Sequence, residues 1–144
     1  MKILTYFSEA TQLMEPSDLE ELLTQARAFN TAHGISGLLL YQSRCFLQTL
    51  EGNADVIDTL YQRIKADKRH CNLKLLFDQP LQERCFQNWS MGFHLPNDHL
   101  FKQRKGYLDV LGTDIATEID LAEEMTFTMV SLFKQYVRNA TTAI

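Results

Sequence analysis

No apolar run in these 144 residues approaches the roughly 20 needed to span a bilayer. The stretch Met1-Lys-Ile-Leu-Thr-Tyr6 enters a strand-like pattern without the apolar core of a signal peptide. A cytoplasmic protein with no membrane partner is therefore expected. Cysteine is scarce: Cys45, Cys71 and Cys85 are odd in number and show no C-x-x-C spacing, which predicts reduced thiols. Basic charge is in deficit, with 14 Lys and Arg against 18 Asp and Glu, so no basic stripe is available to displace counterions from a nucleic acid. The one basic cluster, Arg63 to His70, is interrupted by Asp67. His33, His70, His94 and His99 have no i, i+4 or H-x-H pairing, so no metal ligands are assigned. No serine lies in G-x-S-x-G, and Gly34-x-x-Gly37 precedes a strand instead of opening a helix, which argues against a dinucleotide fingerprint. Repeats, low-complexity runs and Pro/Gly/Ser-rich linkers are also missing. What remains is an ordinary globular composition, 45% hydrophobic and 22% charged, of a size for one domain with a small C-terminal appendage.

The most informative stretch is Gly34-Ile-Ser-Gly-Leu-Leu-Leu-Tyr41 followed by Phe46-Leu-Gln-Thr-Leu-Glu-Gly52. It reads as two buried strands joined by a tight turn at Gln42-Ser43-Arg44. Period-two alternation sends Phe46, Gln48 and Leu50 to one face. If that face is core, the Gln48 amide is held inside it, and each hydrogen bond it leaves unmade costs about 1–3 kcal/mol. A polar partner for Gln48 is required.

Residues 2–8 read as a first strand, with Leu4 and Tyr6 on one face. Ser17-Asp-Leu-Glu20 after Pro16 has the form of a capping box. The helix that follows carries the stripe Leu19, Leu22, Leu23, Ala26 and Phe29, with Asn30 near its end and Gly34 as its stop. Asn53 is placed to cap a second helix from 54 to about 67, with the stripe Ile57, Leu60, Tyr61 and Ile64. Asn72 to Phe77 predicts strand four, broken by Pro80, and Trp89 to Leu95 predicts strand five. The order β-α-β-β-α-β plus one strand is the split-βαβ pattern, an α+β, ferredoxin-like sandwich with an added fifth strand. Two C-terminal helices are expected over 97–110 and 117–138, the second with the stripe Ala122, Met125, Met129, Leu132, Phe133 and Tyr136. The division is 1–95 for the sandwich and 96–144 for a two-helix extension packed on the sheet.

Four polar or redox-capable side chains sit at core-like positions: Tyr6, Asn30, Gln48 and Trp89. Strands one and three are expected as adjacent parallel neighbours, which makes Tyr6 and Gln48 neighbours on the sheet. With the two helical stripes over the same face, the space between them is a slot lined by Leu22, Ala26, Phe46 and Ile64. Such a slot suits a flat aromatic ligand, with Asn30 and Gln48 offering amides to a polar edge. Taken singly, a strand Tyr is ordinarily half-buried core, Asn30 a helix C-cap and Trp89 core filler. An acylphosphatase-type enzyme and a ligand-free interaction domain stay open at this point.

Five motifs in register narrow the choice. Tyr6 in Ile-Leu-Thr-Tyr-Phe-Ser, Asn30 four residues before Gly34-Ile-Ser-Gly37, Phe46-Leu-Gln48-Thr-Leu-Glu-Gly52, Asp67-Lys-Arg-His70 and Asn88-Trp-Ser-Met91 together resemble the BLUF family of flavin-binding blue-light sensors. The resemblance covers residues 2–95. It implies that Tyr6 donates an electron to the photoexcited flavin and hydrogen-bonds Gln48. Gln48 would bridge to the flavin and rearrange in light, giving a small red shift. Asn30 would bind the pyrimidine edge, Arg63, Asp67, Arg69 or His70 the ribityl or phosphate groups, and Trp89 and Met91 would pass the switch outward. The implied cofactor is FAD, with FMN or riboflavin as alternatives. A module without catalysis of its own is expected, signalling to an effector protein through strand five and the C-terminal helices, as a homo-oligomer. One departure matters: Phe29 precedes Asn30 where many relatives carry two consecutive Asn, which removes one polar contact to the isoalloxazine or ribityl, while Ser36 in place of a common Thr is expected to be neutral.

Overall fold

The computed structural model describes residues 1–86, 92–94, 131–133 and 135. In chain order the elements are β1 (Lys2–Ala10), α1 (Pro16–His33), β2 (Ser36–Gln42), β3 (Cys45–Gly52), α2 (Ala54–Ala66), β4 (His70–Pro80) and β5 (Gly92–His94). The sheet order is β4-β1-β3-β2-β5, the split-βαβ arrangement with one strand added beside β2. β5 runs parallel to β2, pairing Leu38 with Gly92 and Leu40 with His94.

One pairing differs from expectation. β1 and β3 are neighbours but antiparallel, with Tyr6 opposite Gln48. The crossover through α1 makes β2 parallel to β1, and the tight turn after β2 then reverses the chain, so β3 opposes both. That turn is Ser43-Arg44, both with positive φ (52° and 66°), the primed geometry that matches strand twist. The juxtaposition of Tyr6 and Gln48 survives because antiparallel pairing places them directly across from each other.

Local signals account for the element ends. α1 begins at Pro16, earlier than Ser17-Asp-Leu-Glu20 suggested: Glu15 is the N-cap, and its backbone N–H donates to Asp18 Oδ2 at 3.1 Å. Proline is pre-organised for the first helical position, where its missing N–H is not needed. The C-cap is Gly34, in the left-handed region at φ 66°, so Asn30 is released from a capping role. Asn53 caps α2 as expected, its side chain accepting from the N–H groups of Asp55 and Val56. β4 is longer than the expected 72–77 and ends at Pro80. It is an edge strand, where a residue without N–H leaves no ladder bond unmade. Gly37 allows β2 to approach β3: a Cβ there would lie 2.0 Å from the Thr49 carbonyl oxygen.

The sheet is buried on both faces. One face packs Leu4, Tyr6, Leu39, Phe46 and Leu50 against Leu19 and Leu23 of α1 and Ile57 of α2. The other gathers Ile3, Phe7, Leu38, Leu40, Cys45 and Leu47 with Cys85, Phe86 and Phe133. Residues 131–133 are helical, and Phe133 is fully buried in that second cluster, with Leu132 packed on it. Trp89, Met91 and the expected helix over 97–110 lie outside the described residues, as does most of 117–138. Among the described residues no helix is long and apolar enough to cross a membrane.

Candidate functional site

Between α1 and α2, above the first sheet face, lies a cavity of about 240 Å³. Its floor is Tyr6, Leu39, Phe46 and Gln48; its walls are Leu22, Gln25, Ala26, Phe29 and Asn30 from α1 and Leu60, Arg63 and Ile64 from α2. Asp67, Arg69 and His70 close one end. All eleven residues expected from the sequence to hold a cofactor line this one space. Gln25, Phe29, Leu39 and Leu60 were not assigned to the slot. The signal was available: 22, 25, 26, 29 and 30 share one helix face, as do 60, 63 and 64, and Leu39 is the β2 partner of Gln48.

The polar centre is on the floor. The Tyr6 hydroxyl donates to Gln48 Oε1 at 2.5 Å, and both side chains are buried. Burial first, with smaller contributions from Tyr61 and Asp67, pushes the Tyr6 hydroxyl far above the ordinary tyrosine range, so it is a fixed proton donor. With Oε1 occupied, the Gln48 Nε2 donors have no hydrogen-bond partner among the described residues and belong to the cavity lining. Asn30, 2% exposed, sits at the end of α1, where its carbonyl accepts from the Ile35 N–H at 2.8 Å. That bond and the Gly34 cap lock the last turn and hold the Asn30 side chain at the cavity.

The closed end is braced by charge. Arg69 grips Asp67 as a fork, Nε to Oδ1 at 3.0 Å and Nη2 to Oδ2 at 2.6 Å. This guanidinium holds the Asp67 carboxyl below the usual carboxylate range, and Asp67 in turn raises Arg69. His70 Nε2 lies 2.6 Å from the Ile64 carbonyl, which only accepts, so Nε2 carries a proton; Nδ1 lies 2.9 Å from Ser8 Oγ. The ring meets Tyr6 and Phe46 edge-on at 6.1 and 6.4 Å. Elsewhere on the lining, Arg63 lies over the Phe29 ring, 5.3 Å from its centroid, and Phe29 stacks on His33 at 4.0 Å.

The lining fits a flavin ring. Aliphatic side chains from two helices face each other across a narrow space, and the Gln48 amide, with Oε1 taken by Tyr6, opens onto it. The volume is below the ~300–1,000 Å³ of most ligand clefts, which suits a flat ring system with its substituent leaving at the rim.

The fold and this lining define a ferredoxin-like sandwich with an amide-bearing slot between its helices. The profile of the BLUF family, "Sensors of blue-light using FAD", matches residues 1–92. The beta subunit of a photoactivated adenylate cyclase from Euglena gracilis is 39% identical over 89 residues, 61% of this chain but 10% of that protein. The structure of BlsA in its photo-activated state superposes with a TM-score of 0.61 at 40% identity, covering 65% of this chain and 69% of BlsA. BlrB, a BLUF protein in its dark state, gives a TM-score of 0.61 at 35% identity, covering 64% of this chain and 70% of BlrB. The chain belongs to the BLUF family of flavin-based blue-light sensors. The domain of that family is a photoreceptor and not a catalytic module.

Proposed function

We propose that this chain is a blue-light switch that holds the isoalloxazine of FAD in the slot and signals by rearranging the Tyr6–Gln48 hydrogen bond. The observation that carries the proposal is the buried Tyr6 hydroxyl bonded to Gln48 Oε1, with the Gln48 Nε2 donors left to the cavity. Leu22, Ala26, Phe46 and Ile64 sandwich the ring, while Asn30 and Gln48 address its polar edge. Arg63, Asp67, Arg69 and His70 stand at the ends of the slot, where a ribityl chain and phosphates leave it. The matched family's use of FAD supports that choice over FMN.

A bound flavin supplies absorption of blue light and, once excited, an acceptor for one electron. The chain's part is proton placement. Tyr6, the tyrosine that lines the cavity, holds its proton on Oη and gives electron and proton from one site, with Gln48 Oε1 at 2.5 Å as the proton's first stop. A proton arriving at Oε1 removes the reason for the original amide orientation. Gln48 then rotates or changes tautomer and presents a different donor pattern to the slot. Such a rearrangement needs only a few kcal/mol between two states to act as a switch.

Output passes to an effector protein through β5, Trp89 and Met91 and the 96–144 extension, which we place on the second sheet face because Leu132 and Phe133 pack there. The module has no catalysis of its own in this reading, and works as a homo-oligomer in the cytoplasm. The test is the absorption spectrum of purified chain before and after blue light. A flavin band that shifts to the red and recovers in the dark is expected. Colourless protein, or a light-inert band, removes the proposal and returns the acylphosphatase-type and ligand-free alternatives.

A further inference from the structure

Three residues beyond Gln48 on β3, and on the opposite sheet face, Glu51 is a carboxylate with no solvent exposure. A buried carboxylate is sustained only by hydrogen bonds, and this one accepts three. Its Oε1 receives the Ser36 hydroxyl at 2.7 Å and the Phe86 N–H at 2.6 Å; its Oε2 receives the Cys85 N–H at 2.8 Å. Arg84 completes the clasp. Its Nη1 donates to Ser36 Oγ at 2.9 Å and to the Glu51 carbonyl at 3.3 Å, and its Nη2 to the Gly34 carbonyl at 2.5 Å. Arg84 thus donates to Ser36 and Ser36 to Glu51, a chain of hydrogen bonds that ends on the carboxylate and in which each polarises the next. The clasp ties the start of β2 and the end of β3 to residues 84–86. Those residues lead, within a few positions, to Trp89, Met91 and β5.

No part of the slot uses Glu51, and packing alone would favour an apolar side chain among Leu47, Cys85 and Phe86. We propose that Glu51 is a positioning residue that couples β3, the strand carrying Gln48, to the 84–86 segment. A shift of β3 at Gln48 displaces the carboxylate that holds the Cys85 and Phe86 amides, and so reaches the chain running into β5. The inference rests on the photoswitch reading above.

The test is amide hydrogen exchange over 84–94, dark and under blue light, on the full FAD-loaded chain, with absorbance recorded on the same samples. The unaltered chain is expected to protect these amides in the dark and to exchange faster in light. Glu51→Gln keeps the shape but not the charge: dark exchange rises about tenfold or more, and the light-minus-dark difference disappears while the red shift stays. Arg84→Met loosens the same clasp while leaving the three donors to the Glu51 carboxylate in place, and gives a smaller change of the same sign if Glu51→Gln folds poorly. Dark protection unaltered in both variants, or a light difference at 84–94 that persists without the clasp, overturns the proposal. So does an unaltered chain that turns red in light with no exchange difference there. Absence of the red shift from the unaltered chain is a separate failure, that of the photoswitch reading.

Discussion

Strand β3 buries polar groups on both of its faces and treats them in opposite ways. On the second face, Glu51 accepts from a hydroxyl and two backbone amides, and the Thr5 and Thr49 hydroxyls hydrogen-bond each other. Protein satisfies protein there. On the first face, Tyr6 satisfies one end of Gln48 while the amide donors at its other end face a cavity. The closed face is a fastening and the open face is a receptor. Two residues with similar carbonyl oxygens, three positions apart, are separated in role by what lies above them.

Several substitutions bear on that contrast. The largest effect is expected at the open face: Gln48→Ala retains flavin, held by the apolar walls and Asn30, but gives no light-induced shift. A red shift of ordinary size in that variant breaks the distinction. Next in size is packing. Leu47→Ala, in the closed face, loses about 2–5 kcal/mol in chemical unfolding of the flavin-free chain. Ile64→Ala, on the half-buried cavity wall, loses half of that or less, because the space beside it is already empty. Equal losses erase the contrast.

The pH dependence follows from the burial of Tyr6. Its folded value is raised, so the contribution of Tyr6 to stability is level below about pH 10, where unfolded tyrosine also keeps its proton. Above that the unfolded state ionises first and stability falls as pH rises. The red shift is accordingly retained at pH 10, as spectra taken across pH 7–10 will test; its loss with the titration of an ordinary exposed phenol contradicts a buried donor. The smallest effect is at the rim. Phe29→Asn removes the contact with Arg63 and lowers unfolding stability by about 0.5–1 kcal/mol, leaving the red shift in place.

The open face was the more legible in the sequence. Helical stripes and strand alternation are local signals, and together they brought Tyr6, Asn30, Gln48 and the walls to one space. The direction of β1 against β3 was misjudged because it depends on counting reversals along the whole chain, not on any one segment. The α1 start moved because Pro16 outranks the capping box that follows it. The Glu51 clasp went unread for a different reason. β3 is buried on both faces, so its pattern is nearly continuous and a charge in phase with Leu47 carries no sign of its partners. Those partners are the backbone amides of Cys85 and Phe86, more than 30 residues on, and backbone donors leave no mark in a sequence.

The central claim is that the Tyr6 hydroxyl operates Gln48. The most direct measurement compares light-minus-dark absorbance spectra of the unaltered chain and Tyr6→Phe, both loaded with FAD. The account predicts a reversible red shift in the first and none in the second, with flavin bound equally in the dark. An undiminished, reversible red shift in Tyr6→Phe contradicts it.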